Sequence, residues 1–367
     1  MVKKMVLALL ITLAIIALGV GLYLQHPKFG RAPEGSRLER MNNSPNYVDG
    51  KFQNLVPTPV VIQERSSRPL SFFAERERLR PPAPIPTVKT DLKTLDKGKD
   101  VFVWFGHASY FMQLGGKQIL VDPVFSPYAS PVPFINKAFE GTNLYTAEDM
   151  PEIDYLLISH DHWDHLDYPT IMALKPKIKN VVCGLGVGSY FEQWGFEEKL
   201  IHEAVWNTKL QLENDLIIHV LSARHYSGRL LSKDKTLWVG YALITPERRV
   251  FLSGDSGYGP HFKEIGALFN GFDLAILDNG QYDKNWPYIH MMPEEVVQAT
   301  EDLKAKSLVP GHSGKFAIAN HPWDEPVKRI TDASRNKNFR LLTPMIGESV
   351  DIENQKQVFS RWWERVE

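Results

Sequence analysis

A chain of 367 residues, 43% hydrophobic and 23% charged, carries enough apolar material for one large buried core or two smaller ones. Its 42 basic and 43 acidic residues leave a formal net charge of -1, so no basic excess points to nucleic acid. The single cysteine, Cys183, excludes an intrachain disulfide and reads as a small buried residue after Val181 and Val182.

Lys3 and Lys4 precede an uncharged apolar run over residues 5–24. A run of about 20 residues, at roughly 1.5 Å each in a helix, spans a hydrocarbon core. A cleaved signal is the competing reading, with Gly19-Val20-Gly21 as a small-residue cleavage site, but the apolar run continues past it. The expectation is therefore a single-pass transmembrane anchor at residues 1–24. The leading lysines favour an extracytoplasmic body of the protein, while Lys28, Arg31 and Arg37 weigh against that side. Residues 25–98 are polar and rich in proline, including Pro57, Pro59, Pro81, Pro82, Pro84 and Pro86. They predict an extended arm that tethers or wraps the domain, with Arg76, Arg78 and Arg80 on a solvated face.

A compact domain is expected over residues 99–367. Strands are predicted at 101–105, 109–114 and 117–121, the last two joined by a Gly115-Gly116 turn. More follow at 155–158, 181–182, 216–221, 237–244, 250–253, 274–277 and 307–309. Helices fit a short stretch after residue 166, then 261–269 and 293–306, the last with Pro293 at its start and acids in its first turn. Strands mixed with helices over one long domain argue for an α/β layered fold.

The chemistry concentrates after the apolar run 155–158, where His160, His162, Asp164 and His165 fall within six residues. Imidazoles and a carboxylate with no thiol nearby suit zinc or another borderline divalent ion. His225, Asp255 and His312 each follow another predicted strand, and strand ends on one rim are where a fold gathers distant residues. Gly254 and Gly311 relieve crowding there. The seven residues form a donor set sufficient for two metals sharing one carboxylate.

In this pattern the chain resembles the metallo-β-lactamase superfamily, with His160-x-His162-x-Asp164-His165 followed by His225, Asp255 and His312. Within it, the chain looks most like the branch containing N-acyl-phosphatidylethanolamine-hydrolysing phospholipase D. The shared phrases are Trp104-Phe-Gly-His-Ala108, Leu120-Val-Asp-Pro-Val-Phe-Ser126, Gly254-Asp-Ser-Gly-Tyr258 and Phe316-Ala-Ile-Ala-Asn320, with His290 ahead of Pro293-Glu-Glu295. The resemblance implies a four-layer αβ/βα sandwich behind the N-terminal transmembrane helix. It implies one zinc on His160, His162 and His225, another on Asp164, His165 and His312, and Asp255 bridging the two. Other divalent metals would also suit these donors. Ser256 stands where the family would have threonine and Ser313 where a tryptophan often follows the last ligand histidine; residues 278–283 also differ.

Two such ions share a hydroxide at neutral pH, because coordination lowers the pKa of water to roughly 7. Asp255 and His290 are the catalytic candidates, with His290 orienting substrate or protonating a leaving oxygen. Asp122, Asp167 and His107 are candidates for hydrogen bonds behind the ligands or toward substrate. Trp163 is expected to pack beside the site, and His26, His202, His219, His261 and His321 to be structural. The expected activity is a membrane-anchored phosphodiesterase of phospholipase D type on N-acyl-phosphatidylethanolamine-like lipids. A lactone or ester hydrolase on a small soluble substrate, or a non-catalytic metal-binding protein, are the alternatives.

Overall fold

A computed structural model describes residues 1–62, 78–213, 216–229 and 233–366. Helix α1 (Val2–Leu24) is followed by α2 (Gly35–Asn42) and a short hairpin of β1 (Tyr47–Val48) and β2 (Lys51–Phe52). The first half of the domain holds β3 (Val101–Trp104), β4 (Tyr110–Leu114), β5 (Lys117–Val121), β6 (Tyr155–Ile158), α3 (Tyr168–Leu174), β7 (Val181–Gly184), α4 (Gly188–Gln193) and β8 (Ile201–Ala204). The second half holds β9 (Thr208–Glu213), β10 (Leu216–Leu221), β11 (Gly240–Ile244), β12 (Arg249–Leu252), α5 (His261–Phe269), β13 (Leu274–Asp278), α6 (Pro293–Asp302), β14 (Ser307–Gly311), α7 (Glu325–Ala333), β15 (Arg340–Leu341) and β16 (Ser349–Asp351).

Two seven-stranded mixed sheets result, ordered β16-β3-β4-β5-β6-β7-β8 and β15-β14-β13-β12-β11-β10-β9. Alternation along each strand builds the layers. Phe102 and Trp104 of β3 enter a central core shared with Ile218, Tyr241, Leu252 and Ile276 of the other sheet. Val101 and Val103 point the other way, into a core with Ile171 and Leu174 of α3 and Phe191 of α4. On the far side Phe251 and Ala275 pack with Phe262 of α5, Val296 of α6 and Ile330 of α7. Three cores separate four layers, the expected αβ/βα sandwich. Strands covered on both faces read as unbroken apolar runs, which is why β6 and β13 stood out in the sequence.

The predicted β4–β5 hairpin forms, with Gly115 and Gly116 at φ 55° and 73° as a primed turn requires. Two predicted elements are too long. The helix from Pro293 stops at Asp302 because Lys304 turns left-handed (φ 53°) and Lys306 N already donates to Phe272 O at 2.9 Å. The strand expected from residue 237 starts at Gly240 because Leu237 and Val239 bond instead to Leu185 O and Ser159 O, each at 2.9 Å.

Among the described residues, α1 is the one helix long and apolar enough to cross a membrane, and none of its residues is buried. The stretch after it is more structured than an extended arm. Arg37 of α2 pairs with Glu192 and Glu203, each at 2.7 Å, while Met41 and Phe52 are fully buried. Arg76 lies outside the described residues; Arg78 and Arg80 are exposed, in line with a solvated face, and Arg80 also donates to Lys137 O and Ala138 O at 2.9 Å.

Tyr241 stitches the two sheets together. Its buried hydroxyl donates to Ile158 O at 2.6 Å, with Val182 O at 3.1 Å, tying β11 to β6 and β7. Tyr241→Phe leaves those carbonyls without this donor and is expected to cost about 1–3 kcal/mol in urea unfolding. A variant as stable as the wild type would show that the stitch contributes nothing.

Candidate metal centre

The candidate residues converge at one rim of the sandwich. The loop leaving β6 carries His160, His162, Asp164 and His165; His225 follows β10, Asp255 follows β12, and His312 follows β14. His107 comes from the turn between β3 and β4, where His107 N donates to Ser313 O at 2.8 Å and His312 N donates to His107 O at 3.0 Å. The rim is conformationally demanding. His107, Asp122 and His312 adopt left-handed backbone at φ 55°, 41° and 60°, which costs about 1–3 kcal/mol each and persists because surrounding contacts offset it. A Cβ on Gly311 would lie 2.0 Å from the Tyr110 hydroxyl, so only glycine lets that strand end pass.

Two sets of donor atoms meet at Asp255. His160 Nε2 lies 2.8 Å from His162 Nδ1, and His225 Nε2 lies 3.3 Å from the same atom. Asp255 Oδ2 is 3.7 Å from both His160 Nε2 and His225 Nε2. On its other side Asp255 Oδ2 lies 3.2 Å from His165 Nε2 and 3.2 Å from His312 Nε2. Asp164 Oδ2 completes that side, 3.5 Å from His165 Nε2 and 3.4 Å from His312 Nε2.

The remote nitrogens of four histidines are already engaged. His160 Nδ1 meets Ser159 Oγ at 3.0 Å, and His165 Nδ1 meets Asp122 Oδ2 at 2.9 Å. His225 Nδ1 donates to Ile289 O at 2.9 Å, and His312 Nδ1 meets Asp278 Oδ1 at 3.1 Å. Acceptors behind these rings turn their other nitrogens inward as lone-pair donors, the arrangement of a metal-binding imidazole. Asp255 Oδ1 is buried with no hydrogen-bond partner among the described residues. These donors fit divalent cations.

The charges agree. Burial opposes ionisation of Asp255, yet His165, His312 and His160 hold its carboxyl well below the usual range. Burial likewise opposes charge on His165, but Asp255 and Asp164 hold it well above its ordinary value. His312 is pushed up to about 10 by Asp255 and Asp278 against the same opposition. His160 and His225 are held down, mainly by burial. The site therefore demands positive charge, most strongly on the side of His165 and His312.

Of the other predicted residues, Asp122 accepts from Ser159 N at 2.8 Å as well as facing His165. His107 Nε2 lies 2.7 Å from Asp164 Oδ2, and burial, then His312, pushes it down to about 4, so it is a neutral donor. His290 Nδ1 meets Asp278 Oδ2 at 2.8 Å, with its ring centred 5.0 Å from those of His225 and His312. Asp167 does not join the cluster. It accepts instead from the Thr170 hydroxyl and, at 3.3 Å, from Ser126 N, because helix α3 begins beside it. Trp163 packs against Phe29 at 5.4 Å and also lines the cavity.

Sequence reasoning missed several residues. Asp278 supports both His290 and His312; it ends a buried strand just as Asp255 follows one, a signal that could have found it. Arg229 is buried and braces the ligand loop, donating to Asp161 O at 2.6 Å and to Leu166 O, with its guanidinium 4.2 Å from the Trp163 ring. Asn54 clamps the backbone of His225, donating to His225 O at 2.7 Å and accepting from His225 N at 3.1 Å. Nothing in their local sequence marks these last two.

A cavity of about 470 Å³ opens on the cluster, lined by His162, Asp164, Asp255, His290 and His312 with Val60, Val61, Tyr226, Trp286 and Ile318. A larger cleft of about 740 Å³ beside Arg78 and Arg329 contains none of the candidate ligands. Of these two, the smaller one is lined by the candidate ligands.

Residues 117–313 match the beta-lactamase superfamily domain. An uncharacterized protein of Mycobacterium tuberculosis is 36% identical over 327 residues, covering 87% of this chain and 87% of its own length. N-acyl-phosphatidylethanolamine-hydrolyzing phospholipase D 1 of Caenorhabditis elegans is 30% identical over 264 residues, covering 67% of this chain and 74% of that protein. The structure of a metallo hydrolase from the hyperthermophilic archaeon Ignicoccus hospitalis aligns with a TM-score of 0.51 at 21% identity, over 69% of this chain and 97% of that one.

Lys315 lies just past His312, fully buried, with Nζ donating to Val124 O at 2.7 Å. Burial lowers it from the ordinary 10.5 to about 7. Between those two pH values the unfolded chain binds more protons than the folded one, so stability rises with pH across the window. Lys315→Met removes that slope: its stability relative to wild type is highest near and below pH 7 and declines toward pH 10.5. Urea unfolding at both ends of the window checks this, and a difference independent of pH contradicts it.

Proposed function

The chain belongs to the metallo-β-lactamase superfamily and is a metal-dependent hydrolase, and from that premise we propose a dinuclear zinc phosphodiesterase of phospholipase D type. In this reading α1 anchors the protein in a membrane, residues 25–98 join it to the hydrolase domain 99–367, and the substrate is an N-acyl-phosphatidylethanolamine-like lipid. The observation that carries the reading is the placement of Asp255 Oδ2 between two donor sets, 3.2 Å from His165 and His312 and 3.7 Å from His160 and His225. His160, His162 and His225 would hold one ion and Asp164, His165 and His312 the other, with Asp255 available to both. Nitrogen and oxygen donors without thiolate suit zinc.

Bound there, the ions would supply Lewis acidity toward phosphoryl oxygens and an acidified water at neutral pH. The chain's own residues do the rest. Asp122, Ser159, Asp278 and the carbonyl of Ile289 fix the ligand rings, so the geometry is set before substrate arrives. Asp278 holds His290 by Nδ1, leaving Nε2 free to deliver a proton to the departing alcohol oxygen of the lipid. Val60, Val61, Trp163, Trp286 and Ile318 give the cavity an apolar wall suited to acyl chains and exclude water from the reacting centre. The lipid class is supported by that wall, by α1 and by the likeness to the nematode phospholipase D.

Purified full-length protein is expected to release phosphatidic acid from N-acyl-phosphatidylethanolamine in mixed micelles and to leave acyl-homoserine and sugar lactones intact. Turnover of lactones alone would replace the lipid reading with an ester hydrolase. His290→Gln tests the proton donor. Its rate is expected to fall about 100-fold on the lipid, whose alcohol needs protonation, and far less on a p-nitrophenyl phosphodiester, whose leaving group does not. Equal losses on both substrates would remove the acid role from His290.

A further inference from the structure

We infer that the loop 127–137 is a membrane-contacting surface that seats the mouth of the metal cavity on a lipid bilayer. The inference rests on the reading of α1 as a membrane anchor and adds to it where the domain meets the lipid. The loop is a closed excursion, with Tyr128 and Lys137 paired in an antiparallel bridge and Ala129 N donating to Asn136 O at 3.0 Å. Its tip carries Phe134 and Ile135, 78% and 47% exposed.

Two observations point the same way. First, the loop is tied to the end of α1. The Tyr23 hydroxyl, in the last turn of α1, bonds to Pro131 O, and Lys28 Nζ reaches the same carbonyl at 2.8 Å. Lys28 Nζ also bonds the Tyr23 hydroxyl at 2.8 Å and lies over the Tyr23 ring at 4.4 Å. The end of an apolar span sits at the boundary between hydrocarbon and headgroups, a layer roughly 5–7 Å deep on each side. Phe134 is three residues from Pro131, hence its backbone lies within about 11 Å of the residue that Tyr23 and Lys28 hold, even with the chain fully extended.

Second, the same loop reaches the catalytic cavity, since Ala129 and Asn136 line it. Other lining residues are exposed and apolar, Val61 at 59% and Ile318 at 38%. A lone exposed apolar side chain means little, but an apolar rim around a cavity and next to a membrane span marks a contact surface. The amphipathic Tyr23 beside Lys28 is the residue pair found where a span leaves the bilayer. With the tip in the lipid, an acyl chain could pass from bilayer to cavity without crossing water.

The sole native cysteine, Cys183, is buried, so Phe134→Cys can be labelled selectively with an environment-sensitive fluorophore. Ile135→Cys provides a second position on the loop, and Leu268→Cys, 69% exposed on α5, serves as a control away from it. The full chain is placed at one copy per nanodisc of phosphatidylcholine and phosphatidylglycerol. Labels at 134 and 135 should emit to the blue and be quenched by doxyl-labelled lipid but not by aqueous iodide, with the reverse at 268. A chain retained in the disc whose loop labels behave like the control overturns this inference and leaves the anchor intact. A chain that does not stay with the disc overturns the anchor reading and this inference with it. Blue emission that appears only as protein concentration rises in detergent, and not in single-copy discs, makes the loop a contact between copies and also overturns it.

Discussion

A buried carboxylate oxygen facing four imidazole nitrogens is stable only if positive charge lies among them. Asp255 Oδ2 is in that position, and Asp164, Asp122 and Asp278 add three further acids to the same rim, two of them fully buried. Burial alone would push protons onto these acids and off the histidines. The opposite occurs at His165 and His312, which are held up, and at Asp164 and Asp255, which are held down. The fold has assembled an environment that calls for cations, and the left-handed residues at His107, Asp122 and His312 are part of what that assembly requires.

The same constraint explains why segments outside the sandwich are held so firmly. Asn54 grips the backbone of His225, and Arg224 bonds the Thr58 hydroxyl at 3.0 Å, holding the segment whose Val60 and Val61 line the cavity. Arg229 braces the ligand loop and also donates to Lys28 O at 2.6 Å. Through that one guanidinium, the segment leaving α1 and the loop bearing four candidate ligands share a support. The site is therefore coupled to the N-terminal segment as well as to the two sheets.

Much of this was legible in the sequence, for physical reasons. Strands buried on both faces, such as β6 and β13, must be uniformly apolar, and a histidine- and aspartate-rich loop after one of them is conspicuous. The four-layer order followed from resemblance to a family, since periodicity alone does not pair β5 with β6 or place β16 beside β3. Elements held by partners far along the chain were invisible. Helix α2 is short and polar and is anchored by Arg37 on Glu203, 166 positions away. Edge strand β9 does alternate, with Leu210 and Leu212 set between Lys209, Gln211 and Glu213, a signal that could have found it, whereas the two-residue β15 has no room for a pattern. Asp167 looked equivalent to Asp122, yet one carboxylate faces His165 and the other faces Thr170; only the path of α3 separates them. Asp278 was within reach, because it ends a buried strand on the same rim as Asp255.

The central claim is that this rim holds two cations sharing Asp255. Anomalous diffraction at the zinc edge from crystals of the zinc-loaded protein tests it most directly. The account predicts two peaks about 3.5–4 Å apart, one ringed by His160, His162 and His225, the other by Asp164, His165 and His312, with Asp255 between them. A single peak, or peaks away from these side chains, would contradict it.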